Sequence, residues 1–153
     1  MGTNYRGSQR EIRALDAYLK LKRATSSVTG GLQNRLDRAE SLTESQFGVL
    51  DALLHLGPLS PGQLSTKLLK SSSNLTTVLA NLERAGLIRR TRDPDDGRAH
   101  VIDLTHRGRQ LIGRILPVHV ERIVEAMGVL TATEQRELSR ICRKLGRAHS
   151  AEG

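Results

Sequence analysis

The chain has 153 residues, enough for one domain with a single core, and carries 24 Lys and Arg against 16 Asp and Glu for a net charge of +8. That balance points to a polyanion or an anionic surface as partner. No apolar run approaches the roughly 20 residues of a membrane span, and the start MGTNYRGSQREIRALD lacks the apolar centre of a signal peptide. Arg6 stands where a myristoylation signal wants Ser or Thr, so a soluble, cytoplasmic protein is expected, without contact with membrane. The lone cysteine, Cys142, excludes an internal disulfide framework and fits a reducing compartment.

From Gln9 to Ala39, Ile12, Leu15, Leu19, Ala24, Val28, Leu32 and Leu36 recur at helical spacing among charged residues, which predicts an amphipathic helix. Its middle, TSSVTGG from Thr25 to Gly31, holds poor helix formers and two adjacent glycines, so a bend or break is expected there. In LTESQFGVLDALLHLGP, Thr43 and Gln46 form a capping box and Leu42 staples onto Phe47; Phe47, Leu50 and Leu54 make the stripe, and Gly57-Pro58 ends it. The same pattern repeats in LSPGQLSTKLL, with Ser60 as N-cap, Pro61 at the first helical position, Gln63 completing the box and Leu59 stapled to Leu64. A further helix opens with Ser71 or Ser72 as cap, carries Leu75, Val78, Leu79 and Leu82, and stops at Gly86.

From Leu87 the pattern changes to LIRRTR, the turn DPDDG and AHVIDLT, in which Ile102 and Leu104 point one way and Val101 and Asp103 the other. This is a β-hairpin whose turn is formed by Pro94 and Gly97, with Asp93 suited to the first position of a type I turn. Thr105 then caps a helix running past Pro117, where a kink or break is expected, to about Met127. The last helix starts at the capping box Thr131 to Glu134 and carries Leu138, Ile141, Cys142 and Leu145. The fold class expected is mainly α with a small β-hairpin.

Two short helices abutting across a tight turn, followed directly by a basic hairpin, make the pattern of a winged helix-turn-helix. A recognition helix must pack one side on its domain and offer the other to DNA. The non-core positions of the second helix are Ser71, Ser72, Ser73, Asn74, Thr76, Thr77, Asn81 and Arg84, with no acid before Glu83. Small hydroxyl and amide side chains reach phosphates and base edges without blocking entry to a major groove about 12 Å wide. Taken one at a time these Ser and Thr residues are better explained as capping and solvating a surface helix; as an acid-free set beside a basic hairpin they point to DNA. Arg89, Arg90 and Arg92 line the hairpin stem and Arg98 its tip, from which an arginine reaches a neighbouring minor groove. The acidic turn is not a calcium loop, since the required glycine and terminal glutamate of a loop beginning at Asp93 fall on Arg98 and Leu104. Asp93 and Pro94 shape the turn, Asp95 is left to solvent, and Asp96, two residues from Arg98, is placed to orient that arginine by a charge-assisted hydrogen bond.

The motifs L-T-x-x-Q-F-x-V-L, L-x-x-L-E-R-x-G-L-I-x-R, D-P-x-D-x-R and L-T-x-x-G, in this order, resemble those of the MarR family of bacterial transcriptional regulators, over about Ile12 to Leu145. The resemblance implies a single domain over residues 1–153, with a DNA-binding module at about 42–105 and dimerisation helices at 9–39 and 106–147. It implies a homodimer straddling a pseudo-palindrome of double-stranded DNA, Ser71 to Thr77 facing the major groove, Arg98 entering the minor groove and Asp96 as the wing-tip aspartate. Many members carry two arginines after that aspartate, where this chain has Gly97 then Arg98. The branch it looks most like senses quinones, hydroquinones and related phenolics, which implies a repressor released by such a molecule or by an oxidant. The effector would lie near Tyr18, Phe47 and His55, between the dimerisation helices and the DNA-binding module.

The residues themselves also favour a dimer, since helices at both ends bear apolar stripes that a compact winged module does not need. Other classes fit poorly. The five histidines show no zinc spacing, and no nucleophile elbow, P-loop or dinucleotide motif is present, so neither an enzyme nor a bound metal or cofactor is expected. Tyr5, Tyr18 and Phe47 are too few aromatics for single-strand stacking. A winged module that binds protein instead of DNA is the alternative. Cys142 reads as a small core or interface residue in register with Leu138, Ile141 and Leu145, with a redox role as the rival reading.

Overall fold

The computed structural model describes residues 4–68, 72–97 and 100–149. The elements are α1 (Gln9–Glu40), α2 (Glu44–Leu56), α3 (Pro61–Leu68), α4 (Ser72–Arg84), β1 (Ile88–Arg92), β2 (His100–Leu104), α5 (His106–Met127) and α6 (Ala132–His149). The chain divides into two compact units, one ending at Val118 and one beginning at His119, just past Pro117.

In the first unit, α1 opens with a capping box that the pattern reading missed. The Ser8 N–H donates to Glu11 Oε2 at 2.7 Å, and the Glu11 N–H donates to Ser8 Oγ at 3.3 Å. The Ser8 N–H and, at 2.8 Å, the Ser8 hydroxyl both donate to the Glu11 carboxylate, which favours its ionised form and holds the Glu11 pKa below the ordinary glutamate value. The expected break at Thr25 to Gly31 is not there: α1 runs unbroken to Glu40. Each helical glycine costs only about 1 kcal/mol relative to alanine, and Thr29 Oγ1 satisfies itself on the Thr25 carbonyl at 2.7 Å. Ser41, at φ 56°, turns the chain out of the helix, while Gln33 Nε2 donates to the Leu42 carbonyl at 3.2 Å.

The core belongs to the segment from Leu42 to Ile115. Both expected boxes form: Thr43 N–H donates to Gln46 Oε1 at 3.0 Å with the return bond at 3.2 Å, and Ser60 and Gln63 exchange bonds of 2.9 and 3.1 Å. The staple partners Leu42, Phe47, Leu59 and Leu64 are all buried. At the end of α4 the Leu87 N–H reaches back to the Leu82 carbonyl and the Gly86 N–H to that of Glu83, a Schellman motif that needs the left-handed φ of 72° at Gly86.

The hairpin is antiparallel, with Ile88 opposite Leu104, Arg90 opposite Ile102 and Arg92 opposite His100. Ile88, Ile102 and Leu104 are buried, so the alternation read from the sequence holds. Leu59 adds a backbone pair to this hairpin, exchanging bonds of 3.0 and 2.8 Å with Ile102, which ties the wing to the entrance of α3. α5 continues through Pro117 without a break, although the proline leaves the Gly113 carbonyl without its helical donor.

In the second unit, the end of α5 turns into α6 through Gly128 to Leu130. Thr131 and Glu134 form the expected box, at 2.8 and 3.3 Å, and Gln135 Nε2 donates to the carbonyls of Met127 and Leu130. No side chain of α6 is buried.

Candidate nucleic-acid interface

Leu75, Leu79 and Leu82 anchor α4 on the core, which leaves Ser73, Asn74, Thr76 and Thr77 exposed on the opposite side. No acid lies in the first turn of α4, so its N-terminal dipole and polar side chains present a surface that attracts phosphate. Ser72 is the first residue of α4, and Ser71 lies outside the described residues. At the far end, Arg84 Nη1 donates to Asn81 Oδ1 at 3.2 Å.

The stem arginines differ in what they hold. Arg89 lies 3.4 Å from Asp103 across the hairpin, and Arg90 lies 3.6 Å from Glu83 on α4, so the latter pair links the wing to the recognition helix. Arg92 is exposed and has no ion-pair partner among the described residues. It is therefore the stem arginine best placed to meet phosphate.

In the turn, Asp93 Oδ1 accepts from the Asp95 N–H at 2.9 Å, an Asx turn that gives Asp93 a backbone role. Asp96 is exposed. Arg98 lies outside the described residues, and with it the pairing expected of Asp96.

The L-T-x-x-G motif proves to be the joint between recognition helix, wing and α5. Thr105 Oγ1 donates to the Gly86 carbonyl at 2.6 Å and accepts from the Gly108 N–H at 3.0 Å, and its own N–H bonds to the Leu87 carbonyl at 3.1 Å. Gly108 lies so close to Leu87 that a Cβ there would stand 1.9 Å from the Leu87 carbonyl oxygen. Arg107 Nη1 donates to the Ala85 carbonyl at 3.3 Å, placing a cation at the negative end of α4.

Beside this joint is a half-open groove of about 660 Å³, lined by Leu42, Gln46, Leu82, Arg107, Leu111 and Arg114 among others. It combines an apolar floor with two guanidinium groups, and among the described residues no acidic one lines it. The residues expected near an effector do not line this groove. Phe47 is a core residue, His55 is exposed and lies 3.1 Å from Asp51, and Tyr18 is exposed on α1; none of the three lines the groove. Positions 107, 110, 111 and 114 fall on one face of α5 by helical spacing, but nothing local marks that face as a groove wall. Cys142 is exposed, so it is not a core residue of its own chain.

The match to the MarR family model covers residues 42–100. An uncharacterized HTH-type transcriptional regulator of Bacillus subtilis, YkoM, is 34% identical over 134 residues, spanning 88% of this chain and 86% of its own. The chain belongs to the MarR family. Among solved structures, Sco3205 of Streptomyces coelicolor, a MarR family regulator in complex with DNA, superposes with a TM-score of 0.83 at 24% identity, covering 95% of this chain and 91% of its own. A cysteine-to-serine mutant of Escherichia coli MarR complexed with operator DNA gives 0.73 at 25% identity, covering 84% and 95%. This MarR family member is a DNA-binding transcriptional regulator with the winged helix-turn-helix read from its sequence. Among the described residues, no helix is long and apolar enough to cross a membrane.

Proposed function

We propose that the chain is a cytoplasmic repressor without catalytic activity, which acts as a homodimer by occluding a promoter. The observation that carries the DNA reading is the exposed, acid-free face of α4, Ser73 to Thr77, held beside a wing whose Arg92 is uncommitted. In this reading Ser71 to Thr77 contact the major groove, Arg92 and Arg98 the backbone and minor groove, and Asp96 orients Arg98. Two copies meet through apolar surface that one chain leaves exposed, including Leu138, Ile141 and Leu145 on α6 and Leu21 on α1. Their modules would read half-sites about 10 base pairs apart. Selection of bound fragments from genomic DNA, followed by footprinting, tests this: two protected half-sites at one-turn spacing are expected, and recovery of fragments without a shared site would refute it.

The effector site of this reading is the groove at Arg107 and Arg114. A phenolic or quinone-like molecule would lay its ring on Leu42, Leu82 and Leu111 and accept hydrogen bonds at its oxygens from the guanidinium groups. Drawing Arg107 away from the Ala85 carbonyl would loosen the end of α4, giving the effector different affinities for the DNA-bound and free conformations. Catechol titrated into the operator complex should release DNA from the wild type and not from Arg107→Gln; equal release from both would move the effector elsewhere. Oxidation at the exposed Cys142 is the second form of the signal, and peroxide treatment followed by non-reducing electrophoresis reads it as a crosslinked dimer.

A further inference from the structure

The last helix carries a feature that neither operator reading nor dimerisation uses. α6 contains Arg136, Arg140, Arg143, Lys144 and Arg147 against two acids, Glu134 and Glu137. At 3.6 residues per turn, the four arginines fall within a wedge of about 60°, opposite the stripe of Leu138, Ile141, Cys142 and Leu145. They cover about 16 Å of helix axis. All four are exposed, and Arg136, Arg140 and Arg143 wall a shallow depression of about 510 Å³ with Gln135 and Ser139. Arg140 is held by Glu137 through bonds of 2.9 and 2.6 Å, and Arg136 donates to Thr133 Oγ1 at 3.1 Å; Arg143 and Arg147 have no ion-pair partner among the described residues. An ordinary solvated helix face intersperses charges of both signs. This wedge holds guanidinium groups alone, which fork onto phosphate oxygens and lose hydration at smaller cost than ammonium groups.

We infer that the arginine wedge of α6 is a second, sequence-independent surface for the phosphate backbone of duplex DNA. The apolar side of the helix remains available for the dimer partner while the wedge faces outward. Each phosphate neutralised on duplex DNA releases counterions and adds about 0.9 to the slope of log K against log salt. Three or four arginines, according to whether Arg140 leaves Glu137 for phosphate, therefore account for a slope of about 3 to 4, without adding preference for one sequence over another.

The test uses the full chain and a random-sequence duplex, titrated at several NaCl concentrations. Arg136→Gln, Arg140→Gln, Arg143→Gln and Arg147→Gln combined should reduce the slope by about 3 to 4. The same four positions changed to Lys should retain it, and sedimentation should show an intact dimer for both. An unchanged slope in the Gln variant overturns the inference. So does binding through the wedge to phosphatidylserine vesicles but not to duplex, which would make the surface one for membrane. Failure of the operator reading is separately visible: the wild type would then hold all duplexes equally, whatever the wedge variant does.

Discussion

Gly108→Ala tests the joint on which the DNA-binding module depends. The new methyl group would stand 1.9 Å from the Leu87 carbonyl oxygen and 2.9 Å from its carbon, and backbone atoms do not swing aside as a side chain does. Ordinary contact requires a separation larger by about 1.5 Å, enough to break the 3.1 Å bond from the Thr105 N–H to the same carbonyl. Overpacking of this kind costs about 1–3 kcal/mol, and loss of the hydrogen bond about 1 kcal/mol more. Against this stands a gain of about 1 kcal/mol from replacing a helical glycine. The net loss is about 2 kcal/mol, and for a chain of this size the melting temperature should fall by about 4–8 °C. Gly113→Ala on the same helix is the control, since its Cβ meets nothing within 4 Å and only the favourable helix term remains. Thermal unfolding followed by circular dichroism reads both. If Gly108→Ala melts at or above the wild type, the close approach of α5 to Leu87 is wrong.

Two further outcomes follow from named contacts. The Glu83–Arg90 pair is partly exposed, so a double-mutant cycle by urea unfolding should give a coupling of only about 0.5 kcal/mol. The swapped variant Glu83→Arg with Arg90→Glu should recover what either reversal alone loses, and zero coupling would remove the link between wing and recognition helix. Bonds from the Thr131 N–H and hydroxyl lower the Glu134 pKa in the folded protein. Its contribution to stability is thus present above the ordinary glutamate value and lost as pH falls through the lowered one. Nuclear magnetic resonance titration should place Glu134 below the ordinary value and bring it part of the way back in Thr131→Ala, which removes the hydroxyl bond and keeps the backbone one; the same titration in both proteins would contradict the role of the hydroxyl.

The elements set by local chemistry were legible in the residues. Thr43, Ser60 and Thr131 each meet a partner three residues on, and a capping box needs nothing more distant. Ile102 and Leu104 alternate with Val101 and Asp103 because one face of the wing packs on the core. α1 resisted the reading because propensity over Thr25 to Gly31 is a weak influence on a helix of 32 residues. The Leu59–Ile102 bridge joins residues far apart in sequence, and no periodicity announces it. Phe47 is buried in the core, as a staple partner of Leu42 must be, and that follows from local spacing. Cys142 lies on an apolar stripe that its own chain leaves exposed, so periodicity alone predicted a burial that a single chain does not supply. The groove is not legible in the sequence because its walls come from three stretches far apart in the chain, 41–46, 82–87 and 107–114, the last two joined at Thr105.

Competition titration of a recovered operator against a shuffled duplex, with the wild type and Thr77→Glu, tests most directly that the exposed face of α4 reads DNA. The wild type should prefer the operator by about 10³-fold or more at physiological salt. A carboxylate at position 77 should abolish that preference through phosphate repulsion while the melting temperature stays unchanged. Undiminished preference in Thr77→Glu would contradict the placement of α4 in the major groove.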